Sequence, residues 1–260
     1  MFPFQSERSH YDNRVSASTT GDDCRSDLGS TTDTESIFVW CACTTPPETR
    51  IKWVFEVLDR VSYMDRFQNT AQPDWDWWGK LWPAPGETLR QLGITSDHTL
   101  AEVPSGNGYF ALPAARITDP NPIYALDLDE SALDELTHLA EQQSIENIVT
   151  LHGDARDMTH HLPEPVDVVF HANSFHGVVD TTEFIQQVSD SLRSGGWLIV
   201  VNWHDLPRET TTVAGEPRGP PTDLRMTPDK TEMAVLDAAD FTLDTHIELP
   251  PYHYALRFER

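Results

Sequence analysis

The stretch Leu100-Ala101-Glu102-Val103-Pro104-Ser105-Gly106-Asn107-Gly108-Tyr109-Phe110-Ala111 leads, through a segment of helical spacing, into Ile123-Tyr124-Ala125-Leu126-Asp127. It reads as strand, glycine turn, helix, strand and acidic tip. In a βαβ unit of this kind Gly106 and Gly108 let the backbone turn sharply and approach a ligand, and the following helix offers free N–H groups at its start. Asp127 stands 19 residues after Gly108, where a carboxylate can accept both hydroxyl protons of a ribose. The pattern points to a nucleoside-containing cofactor. A tight strand-to-helix turn with nothing bound has the same local sequence, so the rest of the chain must decide.

Downstream the alternation continues. Tyr109 to Ile117 reads as helix, Ile123 to Leu126 as strand, and Glu130 to Gln143 as helix with Leu133, Leu136 and Leu139 or Ala140 at helical spacing. Ile148 to Leu151 is strand, Val166 to Phe170 strand, Thr181 to Leu192 helix, and Trp197 to Asn202 strand after a Gly195-Gly196 turn. Alternating βα units with short links build a parallel, doubly wound sheet whose ligand sits at the carboxyl ends of the strands. Phe241 to Glu248 and Tyr252 to Phe258 also read as strands, with only Leu249-Pro250-Pro251 between them. A parallel pair needs a crossover of about a dozen or more residues, so this last pair is antiparallel. The expected fold is α/β: a doubly wound, mostly parallel seven-stranded sheet with an antiparallel C-terminal strand and helices on both faces.

That pattern resembles the Rossmann-like class of S-adenosylmethionine-dependent methyltransferases, and from about Leu89 to Arg260 the chain is similar to the family's small-molecule enzymes. The resemblance implies a role for each matching residue. Glu102-x-Pro104-x-Gly106-x-Gly108 is similar to the family's acidic-x-Gly-x-Gly-x-Gly loop around the methionine part of the cofactor, which makes Glu102, Ser105, Gly106 and Gly108 candidates. Asp127, with Leu128 beside it, takes the ribose position. Gly153-Asp154-Ala155 is similar to the family's Gly-Asp-Ala, with Asp154 accepting from the adenine amino group and the Ala155 N–H meeting a ring nitrogen. His171-Ala172-Asn173 matches the segment lining the methyl-transfer site, so Asn173 is a candidate for both binding and transfer. Pro104 departs from the pattern: it replaces the first glycine, has no N–H and fixes its φ.

Two other readings compete. Gly106-x-Gly108-x-x-Ala111 also satisfies the dinucleotide form of a nicotinamide-dependent oxidoreductase. The short final antiparallel link and the Asp154 signature stand against it. A protein that keeps the fold and binds the cofactor without transferring a group is the other alternative. Pro250-Pro251-Tyr252 is similar to an element of DNA amino-group methyltransferases, but Leu249 precedes it where an acceptor side chain belongs, and it reads as a turn.

Methyl transfer from a sulfonium is an in-line displacement in which alignment does much of the work, and a base is needed only when the acceptor must lose a proton. His171, His176, His204 and Asp205 are the proton-handling candidates at the strand ends, with Asn173 among them. His160 and His161 read as surface residues away from that edge. The segment Arg208 to Leu224, ending at Arg225, is too long for a plain connection. It carries Arg208, Arg218 and Arg225, three of 15 arginines, and reads as a substrate-side lid for an anionic acceptor or as a source of surface ion pairs.

The chain has 260 residues, 38% of them hydrophobic, enough for one core of α/β size. Its 42 acidic and 18 basic residues give a formal charge of -24, and Lys52, Lys80 and Lys230 are the only lysines. Such a surface repels phosphate backbones, so a small-molecule substrate is expected and nucleic acid is disfavoured. It also suits molar salt, where the Debye length falls to about 3 Å, and points to a halophile's cytoplasm. No segment reads as a membrane span or targeting leader. Cys24, Cys41 and Cys43 form no disulfide framework, and Cys41-Ala42-Cys43 lacks the further ligands of a metal site. The expected organisation is a disordered extension over 1–63, an aromatic-rich cap and helix over 64–98, and the methyltransferase domain over 99–260. Met64 is a candidate functional start, since 10 acidic and 6 basic residues precede it and 32 and 12 follow. Four tryptophans in Asp74-Trp75-Asp76-Trp77-Trp78-Gly79-Lys80-Leu81-Trp82-Pro83 read as packing on the core or as a lid over a ligand.

Overall fold

The computed structural model describes residues 74–260. The extension over 1–63, the Met64 start and the three cysteines lie outside the described residues. Two short helices come first, α1 (Trp75–Leu81) and α2 (Pro85–Gln91). The alternating core follows as β1 (Leu100–Glu102), α3 (Ala111–Thr118), β2 (Ile123–Asp127), α4 (Glu130–Gln142), β3 (Ile148–His152), α5 (Met158–His161), β4 (Val166–Ala172), α6 (Thr181–Ser191) and β5 (Leu192–Trp203). The small hairpin β6 (Thr212–Val213) and β7 (Glu216–Pro217), the helix α7 (Pro228–Leu236), and the strands β8 (Thr242–Leu249) and β9 (His253–Glu259) complete it.

The main sheet has seven strands in the order β3-β2-β1-β4-β5-β9-β8. The first five are parallel, β9 runs antiparallel to both β5 and β8, and the expected architecture is met. The order reverses between β1 and β4, and in an open α/β sheet the crevice at such a switch point is where ligands bind. β9 lies between β5 and β8, paired in register from Trp197 opposite Glu259 to Trp203 opposite His253. An antiparallel strand inserted there is not the dehydrogenase order, in which the sixth strand continues the parallel set.

Alternation along the strands divides the interior into two cores. Leu100, Ile123, Ala125, Val168, Phe170, Ile199 and Val201 pack with Leu136 of α4, Leu112 of α3, Leu89 of α2, and Trp78 and Leu81 of α1. Ala101, Val103, Leu126, Val169, Leu198 and Val200 pack with Phe184, Ile185 and Val188 of α6 and Val235 of α7. A fully buried Phe184 or Leu136 each contributes on the order of 1.5–3 kcal/mol. Helix starts are set by side-chain caps. Asp129 accepts from the Ser131 and Ala132 N–H groups, Asp180 from Glu183 N–H and Thr227 from Lys230 N–H, each satisfying donors a helix leaves free.

The boundaries differ from expectation where tertiary pairing overrides pattern. β5 begins at Leu192 rather than Trp197, because Val166 pairs with Leu192 while Val168 pairs with Trp197, and Gly195 at φ 75° lies in the irregular segment between. α5, α7 and the β6–β7 hairpin are additional elements, short and without a long apolar period to announce them. No helix among the described residues is long and apolar enough to cross a membrane.

Candidate active site

The carboxyl ends of β1, β2, β4 and β5 open into one cleft of about 710 Å³. Its floor and first wall come from the glycine turn. Gly106 and Gly108 hold φ of 53° and 89°, the left-handed region that glycine reaches without cost. A side chain at Gly108 would run into Leu136 of α4, so the helix packs onto the turn only because that residue is glycine. The Gly106 N–H donates to Asp127 Oδ2 at 2.7 Å and the Asp129 N–H donates to Oδ1 at 2.9 Å. Asp127 is thereby fixed at the tip of β2 with lone pairs left over on both oxygens.

Glu102 ends β1 on the same wall. It is 3% exposed, and its Oε2 is buried without a hydrogen-bond partner while lining the cleft. Burial pushes its carboxyl well above the usual carboxylate range, and the charge of Asp127 adds to the shift. Asp127 is raised by burial too, opposed by the N–H groups that bond it. A buried, unpartnered carboxylate is costly unless a donor or cation meets it.

Asn173 follows β4 at φ 62°, its N–H bonded to Val201 O at 2.8 Å. Both polar atoms of its amide are buried without a partner, and it lines the cleft. Orphaned Glu102 and Asn173 groups beside a glycine cradle and a strand-tip aspartate are the donor and acceptor set that a nucleoside with an amino-acid arm requires. The residues present fit the expected cofactor, which supplies the methyl group when bound.

Among the expected cofactor residues, Glu102, Ser105, Gly106, Asp127, Leu128, Ala155 and Asn173 all line the cleft. Gly108 stands behind it. Asp154 is also outside the lining: it accepts from the Arg156 N–H at 3.0 Å and is gripped by the Arg156 guanidinium at 3.0 Å. Pro104 lines the wall in place of a glycine.

The catalytic candidates separate. His176, in a single turn after β4, lines the cleft beside Asn173. His171 does not: it is fully buried against Phe184, with ring centroids 4.8 Å apart, and is bonded to the Ser174 hydroxyl at 3.0 Å. Burial lowers its pKa to about 3, which keeps it neutral. His204 turns away to Glu248 of β8 at 2.8 Å, and Asp205 is exposed beyond it. For His171 the pleat is the reason, since it stands one step out of phase with Ala172, which lines the cleft at the end of β4.

The far wall was only partly legible in the sequence. Trp77, Trp78, Tyr109 and Phe110 close one side of the cleft, and Trp203, Arg208, Arg218, Gly219 and Pro220 close the other. Trp78 and Trp82 are also buried in the core, so the tryptophan cluster both packs and lines. The segment from 206 to 225 is folded around Arg225, which is 4% exposed. Its guanidinium donates to Pro220 O, Leu206 O, Thr211 Oγ1 and Arg218 O at 2.9–3.0 Å, and it lies 5.1 Å over the Trp203 ring. Arg225 is therefore a strut of the wall and not a substrate arginine, which corrects one third of the lid expectation. Gly219, at φ 88°, backs onto Trp203, where a Cβ would press on the indole at 2.9 Å. His253 is buried beneath, between Trp203 at 4.1 Å and Trp82 at 4.6 Å, and burial holds its pKa well below the usual histidine range. No group of metal-ligating side chains occurs among the described residues.

Residues 101–200 match a protein-family model described as a methyltransferase domain. Comparison with curated protein sequences gives no significant match. Similar solved structures include a SAM-dependent methyltransferase from Aquifex aeolicus, with a TM-score of 0.59 and 17% identity over 80% of this chain and 97% of that one. An S-adenosylmethionine-dependent methyltransferase from Mesorhizobium loti has a TM-score of 0.53 and 17% identity over 69% and 100%. A protein described under "Conversion of a Disulfide Bond into a Thioacetal Group during Echinomycin Biosynthesis" has a TM-score of 0.56 and 19% identity over 73% and 85%. At these identities the likeness is one of fold, and the family match over β1 to β5 carries the activity. Residues 101–200 match a methyltransferase domain, which supports methyl transfer as the chain's activity and S-adenosylmethionine as its methyl donor.

Proposed function

We propose that the enzyme methylates a small molecule held in the cleft between α1 and the segment from 206 to 225. The observation that carries this is the convergence of Glu102, Gly106, Asp127, Ala155 and Asn173 on one cleft that continues, past His176, under Trp203 and Arg218. Asp127 takes the ribose hydroxyls, and Glu102 accepts from the ammonium group of the cofactor's amino-acid arm. Ala155 and Leu128 contribute backbone and apolar contact around the adenine. Asp154 then acts through Arg156 and the turn it caps rather than by direct contact. Asn173 and His176 stand where cofactor and acceptor meet. His176 takes a proton when the acceptor must lose one, and Asn173 orients the acceptor atom for in-line attack. Tryptophan and arginine side chains exclude water from the transfer end.

The net charge of -24 supports a small acceptor over a nucleic acid, since a strongly acidic surface opposes a polyphosphate. The same charge with three lysines supports a cytoplasm of high salt. Calorimetric titration of S-adenosylmethionine, S-adenosylhomocysteine and NADH into wild type and Asp127→Ala, in molar potassium chloride, tests the cofactor assignment. Both adenosyl ligands should bind wild type, NADH should not, and the variant should bind about ten- to a hundredfold more weakly, as loss of hydrogen bonds to a charged group implies. Equal affinity in the variant would remove Asp127 from the site.

A further inference from the structure

We propose that the acceptor carries an oxyanion, a carboxylate or a phosphate monoester, gripped by Arg208 and Arg218. The inference rests on the methyltransferase reading of the cleft and assigns its second substrate. In a chain with 42 acidic and 18 basic residues, arginines readily find carboxylates: Arg90 holds Glu87, Arg156 holds Asp154, Arg193 holds Glu164 and Asp167, and Arg257 holds Asp244. Arg208 and Arg218 line the cleft and have no carboxylate partner among the described residues.

Both guanidinium groups are positioned for a ligand. Arg218 lies 5.1 Å over the Trp77 ring, and its Nε is buried without a partner. Arg208 donates its Nε to Gly219 O at 3.0 Å and its backbone N–H to Thr222 Oγ1 at 2.9 Å, which fixes the side chain and leaves the terminal nitrogens for another acceptor. Arg225 anchors the same segment through four neutral oxygens, and its positive charge stands near that of Arg208. Glu209 and Asp223 line an adjoining depression that shares Arg208, not the cleft itself. Planar guanidinium forks recognise carboxylate and phosphate oxygens bidentately, and a walled cleft screens such a pair less than open water does. A polyanion is opposed by the surface charge, whereas a small anion enters a local positive field.

The test is calorimetry on protein saturated with S-adenosylhomocysteine, at the lowest potassium chloride concentration that leaves its circular dichroism unchanged. The probes are 4-hydroxybenzoate against 4-hydroxybenzamide, phenyl phosphate against phenol, and a short single-stranded RNA. At least one anion should bind about tenfold or more tightly than its neutral partner, and which anion does so separates carboxylate from phosphate. Arg208→Gln and Arg218→Gln should abolish that preference with S-adenosylhomocysteine affinity and circular dichroism unchanged, and Arg218→Lys should restore part of it. Equal binding of anions and neutral partners overturns the proposal, as does a preference that survives in both glutamine variants or tight RNA binding in the anions' place. Failure of wild type to bind S-adenosylhomocysteine is a different result: it overturns the cofactor assignment and this proposal with it.

Discussion

Asn173 holds an unfavourable backbone and an unmet side chain at once. Its φ of 62° is a conformation that costs a non-glycine residue about 1–3 kcal/mol, asparagine less than most. Its buried amide forfeits roughly another 1–3 kcal/mol until something binds it. Asn173→Gly removes both costs, so the variant should melt at the same temperature as wild type or higher without cofactor, and lose at least about tenfold in kcat/KM. Full activity in that variant would take Asn173 out of the transfer site. Glu102 makes a pH prediction. Its folded pKa is raised, by burial first and by Asp127 second, above an ordinary value of 4.5. The proton therefore favours the folded state: that stabilisation is complete below pH 4.5 and is lost as pH rises through the raised folded value. Asp127, raised chiefly by burial, acts in the same direction in wild type and variant alike. Glu102→Gln, which cannot ionise, should gain stability relative to wild type between pH 5 and pH 8 in cofactor-free urea melts, both values lying above the ordinary 4.5. Parallel pH profiles for the two proteins would contradict this.

Among the elements, the segment between β5 and α7 most changes the reading. Its hairpin is tied to the β8–β9 turn by Tyr252, whose hydroxyl accepts from the Thr212 N–H at 3.2 Å and donates to Thr212 O at 3.0 Å. Arg225 ties the rest. Arg225→Ala would remove one donor from each of four oxygens, of which Arg218 O keeps the Thr211 hydroxyl, and unfolding should become easier by at least about 2 kcal/mol. Limited proteolysis should then cut within 206–225 before it cuts the sheet. Unchanged cleavage and an unchanged melting temperature would show that the segment holds its shape without that guanidinium. The Arg208 side chain adds a single bond to this support, from Nε to Gly219 O at 3.0 Å, against the four made by Arg225, so the glutamine variants of Arg208 and Arg218 are expected to remain folded.

For the whole molecule, strand order and charge dominate. Reversal of the strand order between β1 and β4 opens the crevice, and insertion of β9 beside β5 brings Trp203 and His253 together beneath its far wall. Long-range self-repulsion acts on everything at once. With a formal charge of -24, the melting temperature should rise between 0.1 M and 2 M potassium chloride, as the Debye length falls from about 10 Å to below about 3 Å. A melting temperature independent of salt across that range would contradict an adaptation to high salt.

The order along the chain of the seven strands of the main sheet and of the helices α3, α4 and α6, the glycine turn and the acidic tip at Asp127 were determined by the sequence alone, because hydrophobic period and glycine placement act locally. The short antiparallel link after β8 was equally legible, since three residues cannot cross a sheet. Which histidine faces the cleft was decided only by the tertiary structure. His171, His176 and His204 all lie near strand ends, and pleat, turn and the pairing with Glu248 send them in different directions. The same holds for the three arginines after β5: spacing cannot tell that Arg225 would be buried among carbonyls while Arg208 and Arg218 face the cleft. Burial and partner choice are properties of the assembled fold, because they depend on residues far apart in the chain meeting at one place.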